Sequence, residues 1–433
     1  MRTQGAKRDW QLVTSFLGFA CAIIVLTAAA SATAVTPTSS VAGSAKDPAL
    51  IGLHAPIELT SPLPTAFGSF GLSVAVGGSF VAVAAPGATY KGFTQAGNVS
   101  IFNASTGHLF TTIASPNPKV NGFYGWDVAA SGSTLVVGAP NETAQGTFLN
   151  AGNAYIYTVT NGVVTLSKTL KEPTPQKGTS NSVGGAFGYS VATTGADVLV
   201  GAANESVGKL LSVGNAYVFA TNGTLLNKLT SPNPTETGRY GWSVALSGST
   251  AYVGAPSENS GGHVYIILGA TGPSSGTTTY TLASPDPQLG SFFGYSVAVS
   301  GASLVVGEPG HNATTQNYSG IAYLFSSSTG LLTYVLTNPQ PAYNGEFGFA
   351  VAVNGQDVVV GAPQESAAGL AGAGNVTIFN GSSGDVVTVL VSPNVQDSGD
   401  FGYAVASSGS DIVVGAPNEA ANGAAFAGHA YIY

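Results

Sequence analysis

A single cysteine, Cys21, leaves no disulfide framework to hold this chain together, and charged side chains make up only 7% of its 433 residues. Soluble proteins usually carry roughly 25% charged residues, so the surface here must be built from Ser, Thr, Asn and Gly. Acidic groups outnumber basic ones, 20 to 12, for a net charge of −8. That balance excludes nucleic acid as an electrostatic partner, because phosphate binding needs a basic face. The five histidines, His54, His108, His263, His311 and His429, are dispersed, and there is no His-X-X-X-His and no Gly-X-Ser-X-Gly with partners. The usual zinc and serine-hydrolase signatures are therefore missing. No segment shows helical periodicity, and Asp-X-Asp occurs nowhere in the chain.

What is present begins with an export-type N-terminus. Arg2, Lys7 and Arg8 precede an apolar run from Leu12 to Ala30, and Ala32-Thr33-Ala34 offers a small-residue cleavage site. Residues 1–34 are expected to form a signal peptide, or an uncleaved membrane anchor, since the apolar run is long enough to span a bilayer. Residues 35–50, rich in Thr, Ser, Pro and Ala, predict a flexible linker. Cys21 lies within the apolar run, so a cleaved chain has no cysteine at all. Without Arg2, Lys7, Arg8 and Asp9, nine basic and nineteen acidic groups remain.

The rest, residues 51–433, is an array. An aromatic residue followed by glycine recurs at Phe70, Tyr124, Phe187, Tyr240, Phe293, Phe347 and Phe401, at intervals of 54, 63, 53, 53, 54 and 54 residues. Fourteen residues after each aromatic comes Gly-Ala-Pro or a relative of it, from Ala84-Ala85-Pro86 to Gly415-Ala416-Pro417. A fixed period of this size marks one supersecondary unit repeated. Within each unit, a Val-Ala run, a glycine eight residues after the aromatic and a β-branched run predict a tight hairpin. An aromatic-rich strand follows, as in Gly152-Asn153-Ala154-Tyr155-Ile156-Tyr157. A fourth ends in a Pro-rich turn such as Ser231-Pro232-Asn233-Pro234, where proline stops the ladder. Seven units of four antiparallel strands predict an all-β, seven-bladed β-propeller. The last unit stops after its third strand, whereas Glu58-Leu59-Thr60-Ser61-Pro62 carries the fourth-strand pattern. The strand near Leu59 is therefore expected to complete the last blade and close the ring.

The paired Phe-Gly and Gly-Ala-Pro motifs over Ile57 to Tyr433 resemble the FG-GAP repeats of integrin α subunits and of many bacterial and archaeal surface proteins. The resemblance implies an extracellular propeller concerned with adhesion or binding. In the integrin pattern, Asp-X-Asp-X-Asp-Gly loops between the first two strands bind calcium; here that connection is short, as in Val353-Asn354-Gly355-Gln356. Calcium takes six to eight oxygens, so calcium sites of that kind are not carried over and no metal or cofactor is expected.

Five units carry an acid two places past Gly-Ala-Pro: Glu142, Glu205, Glu258, Glu365 and Glu419. Ring symmetry predicts an acidic arc around one mouth, open to a partner, against the alternative that each Glu only shapes its own loop. Trp126, Tyr189, Trp242, Tyr295, Phe349 and Tyr403, two places after the repeat aromatic, are expected to pack between blades, with a carbohydrate-stacking ring as the other reading. Asp127 replaces the Ser or Ala of other units and either lines the channel or bonds backbone amides. Sequons at Asn98, Asn103, Asn141, Asn204, Asn222, Asn312, Asn317, Asn375 and Asn380 are candidate glycosylation sites. The long connection Lys171 to Ala186 and the short one Pro256 to Gly262 break the symmetry. With so few carboxylates, the fold is expected to tolerate acid.

These features point to a secreted or cell-surface binding and adhesion module for an extracellular protein or glycan, without chemistry of its own. Two alternatives stand beside it: a passive envelope or coat protein, and a polysaccharide hydrolase or lyase using the acidic mouth. Any membrane contact would come only through an uncleaved N-terminal segment.

Overall fold

A computed structural model describes residues 55–143, 150–175, 184–273, 277–313 and 318–433. The export segment and linker of residues 1–50 and most of the long connection from Lys171 to Ala186 lie outside the described residues. Seven four-stranded antiparallel sheets account for the strands, with no α-helix among the described residues. The strand Ile57–Thr60 pairs with His429–Ile432, aligning Leu59 with Ala430, and forms the outer edge of the seventh sheet. The fold is the expected seven-bladed propeller, closed by its own N-terminal strand.

The blades are built by burial graded from axis to rim. In the sixth blade, the second strand Asp357–Ala362 is buried from Val358 onward, while the fourth, Val386–Val391, is mostly exposed. The repeat aromatic of each unit is buried, at 0–1% exposure. It packs against a third-strand ring of its own blade: Phe70 on Phe102, Tyr124 on Tyr155, Tyr240 on Tyr265, at 6.1, 5.6 and 5.4 Å between centroids. There are seven apolar clusters, each shared between two neighbouring blades. The one that joins Val413 and Ile432 to Phe70 and Val83 seals the seventh blade to the first. Inter-blade burial thus takes the place of a single central core.

Glycine at both motifs has one shared cause. The Phe-Gly glycine adopts a left-handed φ, 86° at Gly241 and 91° at Gly402, a region open to glycine at little cost. Its N–H donates to the Gly-Ala-Pro glycine of its own blade, as from Gly241 to Gly254 at 3.0 Å. Its carbonyl presses on the Gly-Ala-Pro glycine of the preceding blade. A Cβ on Gly201 would lie 2.1 Å from the Gly241 oxygen, and one on Gly415 would lie 1.9 Å from that of Gly71. Two backbones meet where no side chain fits.

Gly254→Ala should therefore destabilise the fold by at least about 2 kcal/mol, within the range of overpacked interiors, because its Cβ would sit 2.1 Å from the Gly294 carbonyl oxygen. Gly423→Ala tests the alternative that only backbone freedom matters: Gly423 has a left-handed φ of 80°, which Gly254 does not, but nothing lies within 4 Å of a Cβ there. Urea titration of the two variants should show the larger loss at Gly254.

Candidate functional site

The five recurrent acids do not form an open arc. Glu142, Glu205, Glu258, Glu365 and Glu419 are 0–2% exposed and lie in the walls between blades. After Gly-Ala-Pro the backbone turns back, with the Glu419 N–H donating to Ala416 and the Glu419 carbonyl accepting from Gly428. That turn aims the carboxylate inward, at a tyrosine of the third strand and at the serine of the incoming Ser-Pro turn. Glu142 accepts from Ser115 Oγ and the Tyr155 hydroxyl, and from Asn153 Nδ2 at 2.9 Å. Glu419 accepts from Ser392 Oγ and from Tyr431 at 2.6 Å. Glu205 accepts from Tyr217 at 2.6 Å and pairs with Lys228 at 2.9 Å. Glu258 accepts from Tyr265 at 2.5 Å, and Glu365 from Asn338 Nδ2 at 2.6 Å. Each serine also accepts the N–H two residues on, as Ser231 does from Asn233 at 3.0 Å. The carboxylate is thus a buried hub joining two blades, not a rim.

The deviations show the same hub. In the fifth blade His311 takes the usual Glu position, and Glu308, standing where other units have Ala, supplies the carboxylate, accepting from Ser284 at 2.8 Å. In the first blade Ala88 replaces the acid and Ser100 replaces the tyrosine; both members are absent together. At the closing blade, His429 lies 3.1 Å from Glu419 on one side and 3.1 Å from Glu58 of the N-terminal strand on the other.

The axis holds a different arrangement. Trp126, Tyr189, Trp242, Tyr295, Phe349 and Tyr403 do not fill the blade interfaces. They are half-buried and form a chain of rings around the channel, with successive centroids 5.8, 4.7, 5.4, 5.0 and 4.7 Å apart. Leu72 of the first blade completes the circle, and the rings line the upper section of a channel of about 300 Å³. Below them the wall is Val and Ala, enclosing about 240 Å³. Asp127 does both things expected of it. It lines the channel, and it accepts from Ser73 Oγ at 3.0 Å, Val128 N at 3.0 Å and Val191 N at 2.7 Å, tying three blades together. Burial pushes its carboxyl up to about 6.

Above the rings, the residue before each repeat aromatic has a left-handed backbone in all seven units: Ser69, Phe123, Ala186, Arg239, Phe292, Glu346 and Asp400, with φ between 53° and 62°. None is glycine, and side chains tolerate this region poorly. At six of them, all but Phe292, the conformation is held by the N–H bonding a carbonyl of the neighbouring blade's loop, as from Glu346 to Tyr318 at 3.1 Å and from Asp400 to Gly372 at 3.1 Å. At two of them the side chain lies against a ring: Phe123 is 5.7 Å from Trp126, and the Arg239 guanidinium 4.9 Å from the Trp242 ring. Burial pushes both Glu346 and Asp400 up to about 7, and the Glu346 charge adds to the rise at Asp400.

The FG-GAP repeat family matches residues 112–157, 224–267, 277–325 and 386–433. The chain carries FG-GAP repeats. Each match runs from the fourth strand of one blade to the third strand of the next, so the FG-GAP unit of sequence is offset by one strand from the blade. No curated protein matches the chain in sequence. Among the described residues of these repeats, no group of three or more His, Cys, Asp or Glu is placed to hold a metal ion. Of the sequons, Asn98, Asn141 and Asn375 are buried, whereas Asn222 and Asn312 are exposed and Asn103, Asn204 and Asn380 half-buried. Asn317 lies outside the described residues.

The raised carboxyls predict an unusual pH response. Asp127, Glu308, Glu346 and Asp400 bind protons at about 6 to 7 when folded, against about 4 in an unfolded chain. Their contribution to stability is therefore complete below about pH 4 and is lost as pH rises through about 6 to 7. The melting temperature should rise as the pH is lowered from 8 to 5, and Asp400→Asn should reduce that rise; a fall on acidification would contradict it.

Proposed function

We propose that this FG-GAP propeller is an exported binding module that engages an extracellular protein or glycan at the axial mouth, with no chemistry of its own. The observation that supports it is the circle of six half-buried aromatic rings. Large rings at the end of an open channel keep apolar faces in contact with water, and that free energy is recovered when a ligand covers them. The hubs at Glu142, Glu205, Glu258, Glu365 and Glu419 have no such opening. They serve by holding the blades, and so the rings, at fixed spacing. No carboxylate cluster is needed for this recognition, so binding is expected without calcium. The family resemblance and the N-terminal export pattern support an extracellular domain.

A coat role among copies of the chain is favoured by one separate observation. Loop tips expose Leu63, Leu211, Leu289 and Tyr343, at 65, 59, 87 and 61%, apolar surface that contact between copies would bury.

Protein and glycan arrays probed with the purified chain, with and without calcium, test the binding reading. Trp242→Ala should weaken capture of any ligand found by at least tenfold, and Glu142→Gln should change stability but not affinity. Equal capture by Trp242→Ala and wild type would exclude the mouth. Concentration-dependent assembly of the chain with no captured ligand would favour the coat.

A further inference from the structure

The rim of the ring holds seven strand edges, one per blade, because the outermost strand of each sheet has a neighbour on one side only. An unpaired edge is a template for another strand, and proteins blunt it with charge, proline or cover. Five of these edges are polar where they face the third-strand tyrosine or the residue in its place: Thr112, Thr169, Lys228, Thr281 and Glu58 stand there. The sixth blade differs. Its edge, Val386–Val391, reads Val-Val-Thr-Val-Leu-Val, with no charge, proline or glycine. All but Leu390 are β-branched, which favours extended pairing.

Register decides which way these valines point. Val386 pairs with Phe379, which belongs to the apolar cluster shared with the fifth blade, and Val389 pairs with Thr377. Leu390 turns the other way, into the cluster shared with the seventh blade. Val386, Val389 and Val391 therefore form one stripe on the face toward the fifth blade, exposed at 44, 41 and 46%. A bulge between Val386 and Thr388 leaves Thr388–Val391 as the regular ladder. Pro393, lacking an N–H, ends it. In the fifth blade Val335 holds the position of Val389, but that strand stops at Leu336 and its regular run is one pair shorter.

The strand that this edge fits is its own copy. Antiparallel pairing about a two-fold axis through Val389 sets Val389 against Val389 and Thr388 against Leu390. Directly opposed residues share a face, so the two valine stripes join on one side of a continuous sheet. The nearest charge in sequence, Asp385, then falls at opposite ends of the ladder. A parallel arrangement would set the two carboxylates side by side. We infer that the chain forms a two-fold dimer through the outer edge of its sixth blade. Each copy has one such edge and pairing consumes it, so assembly closes at two. A short ladder with one apolar stripe buries less than about 1,200 Å², the range of transient interfaces, and the dimer is reversible. Both axial channels, at the inner ends of the blades, stay open, so the pair does not depend on what the mouth binds.

Sedimentation velocity of the full chain over a range of concentrations tests this. A reversible monomer–dimer equilibrium should appear, and Val389→Lys should raise its dissociation constant at least tenfold by setting two cations opposite each other. Val335→Lys on the fifth blade should leave it unchanged. A second variant reads the register without adding charge. In a chain carrying Cys21→Ser, Val389→Cys brings two sulfurs into disulfide range, since opposed Cα atoms lie about 4.5–5.5 Å apart. Mild oxidation should link it into a dimer at least tenfold faster than Val335→Cys in the same background. A chain that stays monomeric up to its solubility limit overturns the dimer. Equal association of Val389→Lys and wild type, or equal cross-linking at both positions, overturns the edge. Growth beyond two copies overturns closure and points to the loop tips instead.

Discussion

A carbonyl oxygen set against a glycine Cα, repeated around the ring, is the contact on which this molecule depends. From Gly188 on Gly138 to Gly71 on Gly415, hypothetical Cβ atoms would fall 1.9 to 2.1 Å from the facing oxygen. That closeness fixes how far apart two blades stand, and the first blade, with Ala84 in place of the glycine, is the single exception. The seven apolar clusters supply the free energy of assembly, but apolar contact is non-directional and would accept a range of spacings. The glycine contact does not. With the spacing set, the carboxylate hubs fall within reach of their tyrosines and the axial rings within reach of each other.

Hubs and glycine contacts divide the labour in a chain with few charges. A buried carboxylate is costly unless its lone pairs are met, and here donors arrive from two blades at once. At Glu142 the Ser115 hydroxyl comes from the turn entering the blade and the Tyr155 hydroxyl from its third strand. Loss of every donor would leave the acceptor buried and unmet, which explains why Ala88 and Ser100 depart together in the first unit and why Glu365 of the sixth, with Thr377 in place of the tyrosine, accepts instead from Asn338 Nδ2 and the Ala342 N–H. It also explains why Glu308 stands in for the missing acid of the fifth unit, where Tyr323 and Ser284 are retained.

The period, the strand count and the closing strand near Leu59 were all legible in the chain, because each repeats a pattern of residue type at constant spacing. The hubs were not. Glu and its tyrosine are 13, 12, 7 and 12 residues apart in the second, third, fourth and seventh blades, so variable loops hide the pairing and a recurrent acid reads as surface. Strand alternation misplaced the axial rings for a definite reason. Trp126 stands two residues after Tyr124, which would put both on one strand face. The intervening Gly125 has φ of 86° and the strand begins only at Val128, so one ring turns into the interface and the other toward the axis. The left-handed positions at Arg239, Glu346 and Asp400 left no trace either, since any residue type occupies them and only the loop of the next blade dictates their backbone.

The closing strand sets an order of events during biosynthesis. Residues 57–60 leave the ribosome, or an export channel, ahead of every other strand, yet their partners at 429–432 come last. Until residues 429–432 emerge, the strand at 57–60 has nowhere native to pair and the nascent ring stays open at one seam. Folding intermediates with unpaired strand edges are prone to aggregate, so truncated products of this chain should be selectively vulnerable to quality control. Chains that include residues 429–432, by contrast, acquire their last blade and their circular continuity in the same step.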